Sequence, residues 1–265
     1  MVNTIAFPGL GLSFTVNRIA FTVFSKPVFW YAICILSGFL LGFLFVSLTA
    51  KKQGINPDHI FDIAFWGLIS AIVCARIYYC IFDWDSIGGF WGIFKIWEGG
   101  IAIYGAIIGA ILSTAIYCKV KKLSTLKLFD ACCPGLFIGQ IIGRWGNFFN
   151  AEVYGRETDS LLRMTINGGA GVHPLFLYEG IWNLIGLALL LLFKHRKKTD
   201  GQVFCFYIFR YSLGRLFLEG MRQSEYILYL IPNVLGISQV VAVVGIIAGI
   251  AGKIYLGIKA KKTLQ

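Results

Sequence analysis

Seven stretches of about 20 mostly apolar residues recur along this chain, and a run of that length is what an α-helix needs to cross the hydrocarbon core of a bilayer. They lie near 28–50, 61–82, 99–118, 128–149, 175–193, 202–222 and 233–257. Lipid offers a backbone no water to bond to, so a spanning segment must satisfy its own amides and carbonyls, as a helix does. The expected fold is therefore an all-α integral membrane protein with about seven transmembrane helices. Composition agrees, because only 14% of the residues are charged, against about 25% in soluble domains. The mean hydropathy is +0.74. The first 26 residues lack a basic start followed by a compact apolar core, so no cleaved signal peptide is expected. Without an internal repeat or a low-complexity linker, residues 1–265 read as a single polytopic membrane domain.

Charge placement gives the orientation. One set of span ends carries 13 Lys and Arg residues, in the groups 51–52, 119–127, 194–198 and 259–262. The opposite ends carry 5, namely Arg18, Lys26, Lys95, Arg156 and Arg163. Basic residues stay on the cytosolic side of a membrane, so the N-terminus is expected outside and the C-terminus in the cytoplasm. The outward-facing segments are then those near 1–27, 83–98, 150–174 and 223–232. The net charge of +11 comes mainly from cytosolic loops, which argues against nucleic acid as a partner. The seven cysteines fall in or beside spans and lack CxxC spacing, so they predict neither a disulfide framework nor a metal site. Glycines repeat every four residues at 38 and 42, at 105 and 109, and at 135, 139 and 143. Such small-xxx-small faces let transmembrane backbones approach closely.

Packing glycines do not explain the polar residues beside them. "GRWGNFFNAEVYG", 143–155, puts Arg144, Asn147, Asn150 and Glu152 at the end of an apolar run. A charge at the bilayer centre costs at least about 2.5–3.5 kcal/mol, so something must compensate. Gln140, Arg144 and Asn147 share one helical face, as do Tyr211, Arg215, Glu219 and Arg222. Arg215 and Glu219 are spaced to pair within a helix, which leaves Arg144 and Arg222 in excess, with Arg76 at a similar depth. An interhelical ion network is one reading. An unsupplied anion is the other, and guanidinium forks suit phosphate. "HPLFLYEG", 173–180, brings His173, Tyr178 and Glu179 to the same level. "WEGGIAIYGAIIG", 97–109, brings Tyr104, and "VFWYA", 28–32, brings Tyr31. Tyrosines at such positions are as often members of an interfacial aromatic belt.

Together these stretches resemble the bacterial phosphatidylglycerol–prolipoprotein diacylglyceryl transferases. GRWGNFFNAEVYG is similar to that family's G-R-x-G-N-F-x-N-x-E-x-x-G signature at every fixed position. HPLFLYE corresponds to its HPxxLYE element, and Arg215, Glu219 and Arg222 to its R-x-x-x-E-x-x-R element. Ala75–Tyr79 and the Trp30-Tyr31 opening follow the same order, across most of the chain.

The resemblance implies transfer of a diacylglyceryl group from phosphatidylglycerol to the lipobox cysteine thiol of a prolipoprotein. A thioether forms and glycerol phosphate leaves. It implies no cofactor and no metal, and a multi-pass protein of the bacterial plasma membrane. Its partners would be phosphatidylglycerol and the signal peptide bearing the lipobox. Arg144 and Arg215 are then expected to stabilise the phosphate leaving group, with Arg222 and Arg76 as further cations. Asn147 would hold a headgroup oxygen, with Asn150 and Tyr31 also expected to contact substrate. Glu152 would orient an arginine or polarise the headgroup, Glu219 would position Arg215, and Gly155 would permit a turn. One departure stands out: the family's G-G-x-x-x-H-G element has Tyr104 in place of histidine here. Histidine titrates near pH 6.5 and tyrosine near 10, so a histidine-base mechanism does not transfer directly. A lipid or anion transporter using the same arginines is the competing function; an intramembrane protease lacks its Ser–His dyad or aspartate pair.

Overall fold

The computed structural model describes residues 2–231 and 234–263. Pro232 and Asn233, where the expected segments 223–232 and 233–257 meet, lie outside the described residues, as does Met1. Seven long helices are present among those described: α1 (Trp30–Ala50), α2 (Pro57–Phe82), α3 (Ile103–Lys121), α4 (Thr125–Asn150), α5 (Leu175–Phe193), α6 (Gln202–Gly220) and α7 (Ile237–Thr263). Six of them are long and apolar enough to cross a membrane, all but α6. α6 has a spanning length, but its buried positions include Gln202, Arg210, Ser212 and Glu219, which dilute its hydropathy. The chain is a multi-pass membrane protein.

Local chemistry moves the helix ends from their expected places. α2 starts four residues early, because Asn56 caps it by accepting from the Asp58 amide and Pro57 occupies its first turn. α3 starts late, because Gly99 and Gly100 hold left-handed backbone with φ of 93° and 71°. The segment before α1 adds strands that the apolar runs did not reveal. β1 (Val2–Phe7) pairs with β2 (Leu12–Asn17), and β3 (Ile19–Val23) pairs with β4 (Lys26–Phe29). β5 (Thr165–Ile166) joins the other edge of β1, and β6 (Tyr229–Ile231) pairs with β7 (Leu235–Gly236). These strands are short and half exposed, so an apolar scan at helical length passes over them.

Two compact units result. The first contains residues 1–45 and 132–265, with α5, α6, α7 and most of α4. In it α1 meets α4 through glycine: a Cβ on Gly42 would lie 2.6 Å from the Gly135 carbonyl oxygen, and one on Gly38 3.1 Å from that of Gly139. Ile5, Phe7 and Val16 of the first hairpin form a buried core with Phe148 of α4 and Phe176 of α5. The second unit, residues 46–131, is built on α2 against α3. Its contact runs over Gly105 and Gly109, whose added Cβ atoms would each lie 2.4 Å from a carbonyl oxygen of α2. Both glycine faces therefore bring helices together as their spacing implies.

Candidate active site

In the first unit, the end of α4, the start of α5 and the end of α6 deliver charged side chains to one place. Glu179 of α5 is the hub. It forms an ion pair with Arg144 of α4, pairs with Arg222 at 3.1 Å, and has Arg215 of α6 at 3.9 Å. Glu219 holds the other side, 3.1 Å from Arg215 and 3.3 Å from Arg222. The pairing of Arg215 with Glu219 across one helical turn is the one their spacing predicts. Among the described residues, three guanidiniums thus meet two carboxylates in this cluster, one positive charge more than negative. Burial grades the members: the Glu219 and Glu179 side chains are 1% and 8% exposed, whereas Arg144 and Arg215 keep 22% and 21%. The carboxylates are the buried foundation, and those two arginines are the accessible face.

A polar chain continues from Arg144. Its Nη1 reaches Asn147 Oδ1 at 3.5 Å. The amide groups of Asn147 and Asn150 both donate to Glu152 Oε1, at 3.4 and 3.0 Å. Arg18 Nε donates to Asn150 Oδ1 at 3.2 Å, so the N-terminal segment is tied to the same group. Beyond α4 the backbone turns at Ala151 and Val153, which adopt φ of 52° and 56°. Glu152 is held between them by its amide on the Asn147 carbonyl at 3.1 Å.

Two expected residues, Gly155 and Arg76, have surroundings other than those their spacing suggested, and one member of the network, Glu179, was not among the expected ones. Gly155 does not make the turn; it is a crossing point, where an added Cβ would lie 2.6 Å from His173 Cβ and 2.7 Å from the Met221 carbonyl oxygen. Its amide donates to the His173 carbonyl at 2.9 Å, and it bridges to Arg222, fixing the chain beside that arginine. Arg76 does not present a free fork. Its guanidinium donates to the carbonyls of Gly92, Ile93, Gly99 and Gly100 at 2.6–3.0 Å, so it organises the loop between α2 and α3. That same loop begins at Asp83, whose carboxyl sits below the usual range because Ser86 and Tyr79 hydroxyls donate to it. Glu179, finally, was visible in HPLFLYE but not among the expected site residues. A lone glutamate in an apolar run facing several arginines was the available signal.

The remaining expected residues line helix starts. Tyr31 packs its ring on the α4 backbone, where a Cβ on Gly146 would come within 2.8 Å of it. Trp30 beside it stacks on Phe149 at 5.1 Å. Tyr104, in the second unit, opens α3 with its ring 6.4 Å from that of Tyr78. Gln140 sits two turns below Asn147 and donates to the Tyr207 hydroxyl at 2.8 Å.

Known proteins share this chain's pattern over nearly its whole length. The sequence profile described as prolipoprotein diacylglyceryl transferase matches residues 18–255. This chain belongs to that family. A phosphatidylglycerol–prolipoprotein diacylglyceryl transferase of Lysinibacillus sphaericus is 40% identical over 264 residues, covering 94% of this chain and 96% of the relative. Those of Clostridioides difficile and Finegoldia magna are 40% and 43% identical over 250 residues, each covering 94% of this chain and 99% and 97% of their own. In this member of the prolipoprotein diacylglyceryl transferase family, the family's long arginine-asparagine signature is the end of α4 that feeds the Glu179 hub.

Proposed function

We propose that this chain transfers the diacylglyceryl group of phosphatidylglycerol to the lipobox cysteine of prolipoproteins, at the arginine network around Glu179. The observation that carries the reading is the excess cation: Arg144 and Arg215 come from different helices, share one buried carboxylate and stay accessible. A phosphate monoester leaving as glycerol phosphate develops its charge on oxygens that guanidinium forks match. Donors already aimed at that charge are each worth about 2.7–4 kcal/mol of barrier. The attacking sulfur belongs to the prolipoprotein. It bonds to the glyceryl carbon while that carbon's bond to the phosphate oxygen breaks, and the thiol proton leaves to a base. Tyr104 stands where the family pattern has histidine; its phenol hydroxyl can both donate and accept a hydrogen bond, so it serves there as a hydrogen-bonding or positioning group.

The protein is read as lying in the bacterial plasma membrane with its N-terminus outside, where the segments near 1–27, 83–98, 150–174 and 223–232 face the exported substrate. α6 is read as the seventh span: at 1.5 Å per residue its 19 residues cover about 28 Å, close to the hydrocarbon thickness. Its polar side is matched by the α5 residues it meets. The test uses purified protein in phosphatidylglycerol vesicles with a lipobox peptide. The expected product is the peptide carrying one diacylglyceryl thioether, with stoichiometric glycerol phosphate. Lipid movement between leaflets without that product would instead identify a transporter.

A further inference from the structure

The hairpin of β3 and β4 closes with residues ill suited to its turn. Phe24 and Ser25 are its two central residues and have φ of 47° and 63°. A two-residue turn of that hand is ordinarily made by Asn-Gly or Gly-Gly, because a Cβ in left-handed backbone crowds the neighbouring carbonyl. Burial does not offset this cost, since Phe24 is 97% exposed. Phe21 and Val23 lie on one side of the hairpin, 53% and 44% exposed, with Lys26 opposite Val23 in register. A strained, bare phenylalanine beside two apolar residues and one lysine is the pattern of a surface meant for something apolar and negatively charged.

The place of the hairpin names that partner. β4 ends at Phe29 and the membrane-crossing helix α1 begins at Trp30, with no linker. The tip, at Phe24, is six residues from the helix start at Trp30, a reach of at most about 20 Å in extended chain. Its base is held: Arg18 lies over the Phe29 ring at 5.5 Å and bonds Asn150 at the end of α4. Trp30 and Tyr31 are the aromatics that favour the boundary between lipid and water, so the tip is kept close to that boundary.

We propose that the β3–β4 hairpin is a membrane-surface contact, in which Phe24 enters the acyl region and Lys26 meets the phosphates of anionic lipids. This contact rests on the membrane crossing of α1 and not on the transferase reading, so it stands or falls separately from that activity.

The test puts the photoreactive analogue p-benzoylphenylalanine at position 24 of the full chain, in vesicles of equal phosphatidylserine and phosphatidylcholine, the anionic lipid being one that is not the proposed substrate. Illumination and mass spectrometry should find a phospholipid joined to the peptide containing residue 24, while the same group at Asp159 should give no lipid adduct. The phosphatidylserine adduct should exceed the neutral one by about fivefold, the preference one surface lysine gives, and Lys26→Glu should abolish that preference. Phe24→Gly should leave Tm in detergent at or above that of the unaltered chain, because glycine accepts the left-handed turn. No lipid adduct at 24, an adduct to added lipobox peptide in its place, a lowered Tm in Phe24→Gly, or equal anionic and neutral adducts would each overturn the proposal. The second result would make the tip a peptide contact, and the third a packing element of the fold.

Discussion

Replacing Glu179 with glutamine tests whether one buried carboxylate organises the arginine network. In the intact site Glu179 is 8% exposed and faces three guanidiniums, with Arg222 at 3.1 Å and Arg215 at 3.9 Å. Glu179→Gln preserves the size of the side chain but leaves three cations against Glu219 alone. Arg222, itself 9% exposed, has the least access to water to compensate. Breaking a buried pair by removing one partner costs about 3–5 kcal/mol, because the remaining charge is stranded. At roughly 2–4 °C per kcal/mol for a chain of this size, Tm should fall by about 6–20 °C. Arg144 and Arg215 would also lose their shared anchor, so the two arginines proposed as phosphate donors would no longer be held in place. Loss of one such donor lowers kcat by roughly 100- to 1,000-fold, and the same range is expected here. The assays are thermal unfolding and peptide lipidation at saturating phosphatidylglycerol. A double-mutant cycle separates the two effects: adding Arg222→Gln removes the stranded cation and should recover part of the lost Tm without restoring kcat. If Glu179→Gln unfolds like the unaltered chain, or if the two substitutions are simply additive, Glu179 is not the hub and the network has been misread.

Four further outcomes are expected. Arg144→Lys keeps the charge but loses the planar fork, so lipidation should drop by roughly 100-fold or more while membrane insertion and yield stay normal; near-normal transfer would make Arg144 a structural partner. Gly155→Ala must push His173 or the Met221 carbonyl aside, and should cost about 1–3 kcal/mol by overpacking, read as a lower Tm together with reduced activity. Tyr104→Phe, compared with Tyr104→His across a pH series at saturating substrates, reports on the hydroxyl: a base would lose about 100- to 10,000-fold, a positioning group less, and an unchanged phenylalanine variant would end any chemical role. A reporter active only in the cytosol should give signal when fused after Gln265 and none when inserted near Asp159; the reverse would overturn the orientation.

Much of this protein is determined locally, and those parts can be read from sequence alone. The length of an apolar run decides whether a helix can cross lipid, so the long helices follow from hydropathy to within a few residues. Four-residue glycine spacing decides which helix face permits close approach, and Gly42 against Gly135 is such a contact. The i, i+4 relation of Arg215 and Glu219 needs no more than the helix itself. The membership of the site in a known family was likewise carried by short, ordered motifs. What lay beyond sequence was the choice of partner among like candidates. Arg76 and Arg144 are both arginines in apolar helices, yet one is surrounded by the carbonyls of a loop closed by Gly99 and Gly100, and the other meets a carboxylate 35 residues further along the chain. Glycine at 155 is equally compatible with a turn or a crossing, and only the neighbouring His173 and Met221 decide for the crossing. The hub role of Glu179 has the same origin. A carboxylate in lipid must find cations, but which cations, and how many, depends on where three separate helices end in space.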